Sequence, residues 1–334
     1  MAFSDELAVE LQKYEMIRRA FSGMHPLLQV IFFFSMVLTG MALAMGLGIY
    51  MLSTIAGESW DATMNAASQP ASEWGKVVNL VLNSTNQILA FGLAALGYHW
   101  LFGGTARTAF SPLPNAPARP FFGWFLSAAV AALAMSPLLD VTYRLNRMIV
   151  EWTPWGEWVA QYEAAAEVVT RALLTMPDLS SFIWTVITVA LLPAVFEEIA
   201  FRGVLMPRLA KSTGNIHAAV WISAALFSAI HLQFFGFVPR MLIGAGLGYL
   251  TIHSGRLWPA MVGHFVNNGS AVMAAYIIGP DWFDTGMDPM SPWSSEDYAF
   301  AAGSFVVLIA AFIWWRKRPQ GLTLQAARYL KAIS

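Results

Sequence analysis

Leu191-Leu192-Pro193-Ala194-Val195-Phe196-Glu197-Glu198-Ile199-Ala200-Phe201-Arg202 runs on without a break from the apolar stretch Phe182–Ala190. It sets two adjacent carboxylates and a guanidinium inside what otherwise reads as a membrane helix. Each charge at a bilayer centre costs roughly 2.5 to 3.5 kcal/mol on insertion scales, and an ionisable group at that depth is by default functional. The rest of the chain reads as the container for this cluster.

The composition agrees with a membrane container. Of 334 residues 57% are hydrophobic and only 12% charged, against about 25% charged in a soluble globular domain. The fold class is therefore all-α, a polytopic transmembrane helical bundle. A net charge of −1 leaves no basic surplus to neutralise phosphates, which argues against a nucleic-acid partner. The absence of cysteine removes disulfides, thiolate nucleophiles and thiolate metal sites. The first twenty residues, with Asp5, Glu6, Glu10 and Glu15, lack the basic-then-apolar order of a cleavable signal peptide.

A spanning helix needs about 20 mainly apolar residues. About eight spans are expected: Leu27–Leu52, Val77–Phe102, Phe121–Tyr143, Ser181–Leu205, Ala218–Phe235, Pro239–Ile252, Leu257–Ile278 and Tyr298–Trp315. The sixth is short and carries Gly244, Gly246 and Gly248, which favour close helix packing over a phosphate-cradling loop; a re-entrant path is the alternative. Alternate connections are basic (Lys13, Arg18, Arg19; Arg107, Arg119; Arg208, Lys211; Arg256; Arg316, Lys317, Arg318). The others are acidic, as at Glu58, Asp61 and Glu73 or Asp281, Asp284 and Asp288. The positive-inside rule then puts both termini in the cytoplasm, with a bacterial cytoplasmic membrane the expected location.

Four regions follow: an amphipathic leader over 1–26, three spans and an interfacial segment over 27–180, a polar-cored group of spans over 181–278, and an acidic loop, last span and basic tail over 279–334. Thr105–Pro120 is Pro-rich and reads as a loop. Trp152, Trp155, Trp158 and Tyr162 predict a surface helix over roughly Trp155–Thr175, anchored at the membrane interface.

Within the spans few side chains titrate. His25, His99, His217 and His253 fall at span ends, whereas His231 and His264 lie inside apolar runs; Asp140 and Arg144 form an i, i+4 pair. The remaining polar set is Glu197, Glu198, Arg202, His231, His264, Asn267 and Asn268, from three helices. Glu198 and Arg202 share one face and can pair, while Glu197 is rotated by about 100° to face a cavity, which suits a general base or a shared-proton partner. His264 and Asn268 share another face. Singly, each has a bland explanation as an interhelical hydrogen bond or structural ion pair; together they indicate one polar site.

Glu197-Glu198-x-x-x-Arg202, Phe227-x-x-x-His231 and His264-x-x-x-Asn268, in that order, resemble the three-motif signature of the CAAX protease and bacteriocin-processing (Abi) family of intramembrane proteases, which includes the type II CAAX prenyl endopeptidases. The resemblance covers roughly Phe182–Ile278. It implies peptide-bond hydrolysis in the membrane on a membrane-associated, prenylated or leader-peptide substrate. Glu197 would activate water with His231, His264 and Asn268 would stabilise the oxyanion, and Glu198 and Arg202 would support them. Family members are usually called metalloproteases, and His231, His264 and Glu197 also make a sensible zinc set. A metal-free glutamate mechanism uses every member of the set and is favoured slightly on the residues; zinc stays open as the cofactor.

Two other classes compete. A proton- or cation-coupled transporter would use the Glu/His cluster as a relay, but inverted repeats are not visible. A non-catalytic membrane binding protein would keep the site as a remnant, yet no motif member is missing. Asn83, Ser84, Asn86 and Gln87 of the second span read either as the lining of a substrate path or as interhelical hydrogen bonds.

Overall fold

The computed structural model describes residues 16, 21, 23–102, 121–279 and 293–316, and among these the chain is helical with no strand. The leader over 1–26 for the most part, the Pro-rich loop, the acidic loop over 281–292 and the basic tail lie outside the described residues. Ten helices are described: α1 Pro26–Ala56, α2 Trp60–Ala67, α3 Glu73–Leu101, α4 Phe121–Glu151, α5 Gly156–Leu174, α6 Leu179–Thr213, α7 Ile216–Ala229, α8 Phe237–Ser254, α9 Trp258–Ile278 and α10 Ser295–Arg316.

Local chemistry sets many of the boundaries. Side chains of Ser59, Ser72 and Asn215 accept from the first free N–H groups of α2, α3 and α7. Asp178 opens α6 through a reciprocal capping box with Ser181. The Ser181 backbone N–H donating to it holds the Asp178 carboxyl below its ordinary range. Gly57 and Gly255 end α1 and α8 with φ of 70°, a left-handed conformation that carries no Cβ penalty in glycine.

Five helices are long and apolar enough to cross a membrane: α1, α3, α4, α6 and α10. The eight expected spans all have a helical counterpart, but α7, α8 and α9 do not meet that measure by themselves. The largest difference is in the fifth. It was expected to reach Phe235, but the helix stops at Ala229, and 14 residues rise only about 21 Å against a core of about 30 Å. The apolar run Ile230–Phe235 forms a turn instead.

Helix α6 sits centrally, packing on α1, α3, α7 and α9, while α4 lies over α8, α9 and α10. One apolar core joins α1, α3, α6, α7 and α8, with Phe33, Phe91, Phe201, Leu205, Val220 and Phe227 all buried. Three stretches are π-helical: Gln87–Leu93 in α3, and Val186–Leu191 and Ile199–Leu205 in α6. Each wider turn frees backbone carbonyls, which then need partners from neighbours. Asn83 of α3 donates to the Thr188 carbonyl at 2.8 Å, and Asn268 of α9 donates to the next carbonyl, Val189, at 3.0 Å.

The glycines of α8 are packing residues, as their spacing predicts. A Cβ built on Gly244 would lie 3.2 Å from Ala224 Cβ and 3.3 Å from Phe227 Cδ1. Gly244→Leu is therefore expected to push α8 off α7, at about 1–3 kcal/mol for overpacking. It should appear as a lowered thermal midpoint of the purified protein, with Gly246→Leu, whose nearest neighbour is the flexible Met135 at 3.4 Å, as the milder comparison.

Helix α5 matches the expected surface helix closely, and Trp152, Trp155 and Trp158 are 81%, 68% and 57% exposed, as an interfacial anchor requires. Arg144 donates to Asp140 at 3.0 Å, the pairing their spacing predicts. Two histidines depart from expectation. His99 and His253 are buried, not water-accessible, His253 beside the Phe312 and Trp315 rings.

Candidate active site

The charged stretch straddles a change of helix type. Leu192–Glu198 is α-helical, and the π-helical stretch begins at Ile199. Glu197, Glu198, Arg202 and His264 are all at most 5% exposed. Unpaired charges there would cost several kcal/mol each, so their partners decide whether the fold tolerates them.

Arg202 and Glu198 pair through Glu198 Oε1, while Glu198 Oε2 is buried with no hydrogen-bond partner among the described residues. Arg202 Nη1 donates to Glu198 Oε1 at 2.8 Å, and Nη2 donates to the Gly244 carbonyl at 2.7 Å, a contact that the close approach of α8 permits. The guanidinium lies over the Phe227 ring, 4.9 Å from its centroid, which adds a cation–π contact. Glu198 Oε1 also meets His264 Nδ1 at 2.9 Å. A carboxylate oxygen accepts, so Nδ1 carries the hydrogen and His264 turns Nε2 toward Glu197 and Asn268.

Glu197 points elsewhere, as its rotation along the helix predicts. Its Oε1 accepts from Gln87 Nε2 of α3 at 2.8 Å, and its Oε2 stands 3.9 Å from His264 Nε2, too far for a direct hydrogen bond. Two carboxylates against Arg202 leave one negative charge over among the groups in direct contact.

Asn268 is held by three contacts. Nδ2 donates to Val189 O at 3.0 Å and lies 3.4 Å from His264 Nε2, while Oδ1 accepts from Asn267 Nδ2 at 3.0 Å. Asn267, expected only to pack, thus fixes the Asn268 amide. One of the two Asn268 N–H bonds is firmly engaged, and the second faces His264 loosely.

His231 differs most from expectation. It sits in the turn after α7, not within a span, with Nδ1 2.8 Å from the Phe227 carbonyl and its ring 5.1 Å from the Phe227 ring. The carbonyl only accepts, so Nδ1 carries the hydrogen and Nε2 keeps its lone pair. Residue 232 follows with φ of 54°, unusual for leucine, and is 58% exposed. The turn is held from three sides: Glu163 of α5 accepts from Phe235 N, Asn146 of α4 donates to the Phe234 and Phe235 carbonyls, and Ser228 Oγ donates to Phe237 O. Strain of this kind persists where surroundings over-determine the backbone, as at functional sites.

The structure thus brings Glu197, Glu198, Arg202, His264 and Asn268 into one contact network, with His231 joined through Phe227, whose ring also faces His264 at 5.9 Å. Sequence reasoning named Gln87 among polar residues of the second span but did not place it on Glu197. Polarity marked it as a hydrogen-bonding group without identifying its partner. For a metal, among the described residues no group of three or more His, Cys, Asp or Glu side chains converges to hold an ion. His264 commits Nδ1 to Glu198 and presents Nε2 toward Glu197, an orientation that equally suits a metal ligand.

No curated protein and no solved structure matches the chain. A family model described as type II CAAX prenyl endopeptidase, Rce1-like, does match, over residues 179–270. That match begins at the first residue of α6, ends within α9, covers less than half of the chain and contains all three motifs. Residues 179–270 are therefore similar to the Rce1-like type II CAAX prenyl endopeptidase family.

Proposed function

We propose that the chain is an intramembrane endopeptidase that hydrolyses a peptide bond of a membrane-associated, prenylated or otherwise lipid-anchored protein, using Glu197 as the base. The observation that carries this reading is the Glu197–Gln87 and Glu198–Arg202 division. One buried carboxylate is bonded to a guanidinium, and the other has an oxygen, Oε2, that among the described residues comes no closer than 3.9 Å to His264 Nε2.

In this mechanism Glu197 takes one proton from a water as the water oxygen bonds the scissile carbonyl carbon. His231 Nε2, free to accept, orients that water. Negative charge then builds on the carbonyl oxygen, where the second N–H of Asn268 donates. His264 lies beside that donor, with Nε2 3.4 Å from Asn268 Nδ2. As the C–N bond breaks, Glu197 returns its proton to the departing nitrogen. Glu198 and Arg202 hold His264 in the required tautomer. The cycle balances without a metal.

The test is cleavage of a lipid-anchored peptide by purified protein in lipid nanodiscs, products identified by mass. Expected are two fragments from one hydrolysed bond, with unchanged rate after chelator treatment. Loss of activity on chelation, restored by zinc, contradicts the metal-free mechanism. Proton-coupled uptake in vesicles without cleavage contradicts the peptidase. His231→Ala is expected to lower kcat by about 10²–10⁴-fold, the scale of acid–base assistance. Its thermal midpoint should change little, since the half-buried ring is bonded only to a local carbonyl.

A further inference from the structure

Gln87 belongs to α3, well outside the matched segment, yet its Nε2 donates to Glu197 Oε1 at 2.8 Å. Both side chains are buried, at 5% and 4% exposure. Gln87 is the first residue of the π-helical stretch Gln87–Leu93, and such stretches concentrate at functional sites. Five residues on, Gly92 admits the Phe196 ring of α6 so closely that a Cβ there would meet it at 2.8 Å. The α3 π-helix is therefore seated directly on the turn of α6 that carries Glu197. The Gln87 amide is also only half used. Nε2 donates to Glu197 Oε1, while the buried Oε1 of Gln87 has no partner among the described residues. A helix-packing glutamine satisfies both ends where it can, because an unfilled buried acceptor costs about 1–3 kcal/mol. An amide with one end on the base and the other end open is arranged for a reacting site.

We propose that Gln87 is a positioning residue for the hydrolysis, pinning Glu197 through the Glu197 Oε1 atom so that Glu197 Oε2 alone faces the water. The active site is then completed by a helix that the family segment does not contain. This rests on Glu197 being the base.

Three variants of the full-length protein test it in the nanodisc cleavage assay. Gln87→Leu is expected to lower kcat roughly tenfold to a hundredfold, the scale of removing an outer partner that orients a reacting side chain, with KM unchanged. Asn83→Leu is the packing control, since Asn83 also ties α3 to α6, at Thr188 O, without touching the cluster. It should keep kcat within about twofold while costing a comparable thermal midpoint. Gln87→Glu keeps the shape but sets a carboxylate against Glu197, in a setting where His264, Glu198, Arg202 and Arg240 also act on that group. It is expected to be inactive at mildly alkaline pH and partly restored at mildly acidic pH, where one proton shared by the two carboxylates re-forms the hydrogen bond. Wild-type kcat in Gln87→Leu, equal losses in Gln87→Leu and Asn83→Leu, or a Gln87→Glu profile parallel to wild type overturns the proposal. If Glu197→Gln still cleaves, the reading of Glu197 as the base fails first; if only the Gln87 variants behave normally, that reading stands and the positioning role falls.

Discussion

Arg202→Met is expected to destabilise the protein by about 3–5 kcal/mol, the range for removing one partner of a buried ion pair. The measurement is the thermal midpoint, with the yield of monodisperse protein after extraction. The reason is specific to this site. Arg202 is 1% exposed and gives hydrogen bonds to both Glu198 and the Gly244 carbonyl. Without it, Glu198 at 0% exposure keeps only His264, and the Gly244 carbonyl loses that donor. Adding Glu198→Leu to Arg202→Met removes the stranded charge and should recover much of the midpoint, as apolar replacements of buried pairs often do. It should not recover cleavage, because His264 would lose the acceptor that fixes its tautomer. A double variant less stable than Arg202→Met alone would show that Glu198 is held by something other than this pair.

Glu197→Gln carries the largest expected effect on rate. Loss of the base should abolish detectable turnover, a fall of at least about 10³–10⁴-fold given the usual worth of general-base assistance together with the mispositioned water. Stability should move the other way. The variant removes the carboxylate left over after Glu198 pairs with Arg202, and an amide can still meet Gln87. The thermal midpoint is therefore expected to equal or exceed wild type, the familiar opposition between active-site chemistry and stability. A variant that is inactive and also strongly destabilised would assign Glu197 to structure.

Much of this was legible in the sequence because charge in an apolar run is conspicuous. Glu198 with Arg202, and His264 with Asn268, share faces by helical spacing alone, and the structure pairs them. The glycines of α8 likewise announced close packing. Three features carried no such signal. The π-helical stretches of α3 and α6 follow from tertiary contacts that absorb freed carbonyls, as Asn83 and Asn268 do at Thr188 and Val189. The end of α7 at Ala229 is set by Glu163, Asn146 and Ser228 holding the turn, while the sequence Ile230–Phe235 stays largely apolar and reads as more helix. Gln87 was visible as a polar residue, but which of the facing helices it would reach depends on how α3 seats on α6. α5, legible as an interfacial anchor, also braces the His231 turn through Glu163, and through Trp158 and Tyr162 against Phe234.

The most direct measurement is single-turnover cleavage of one lipid-anchored peptide by chelator-treated wild type and by Glu197→Gln, side by side in nanodiscs, with products weighed. The expected result is one hydrolysed bond from the wild type and no product from the variant, both proteins melting at or above the same temperature. Equal cleavage by the two proteins, or none by a folded wild type across lipid-anchored peptides, would contradict a glutamate-based intramembrane peptidase.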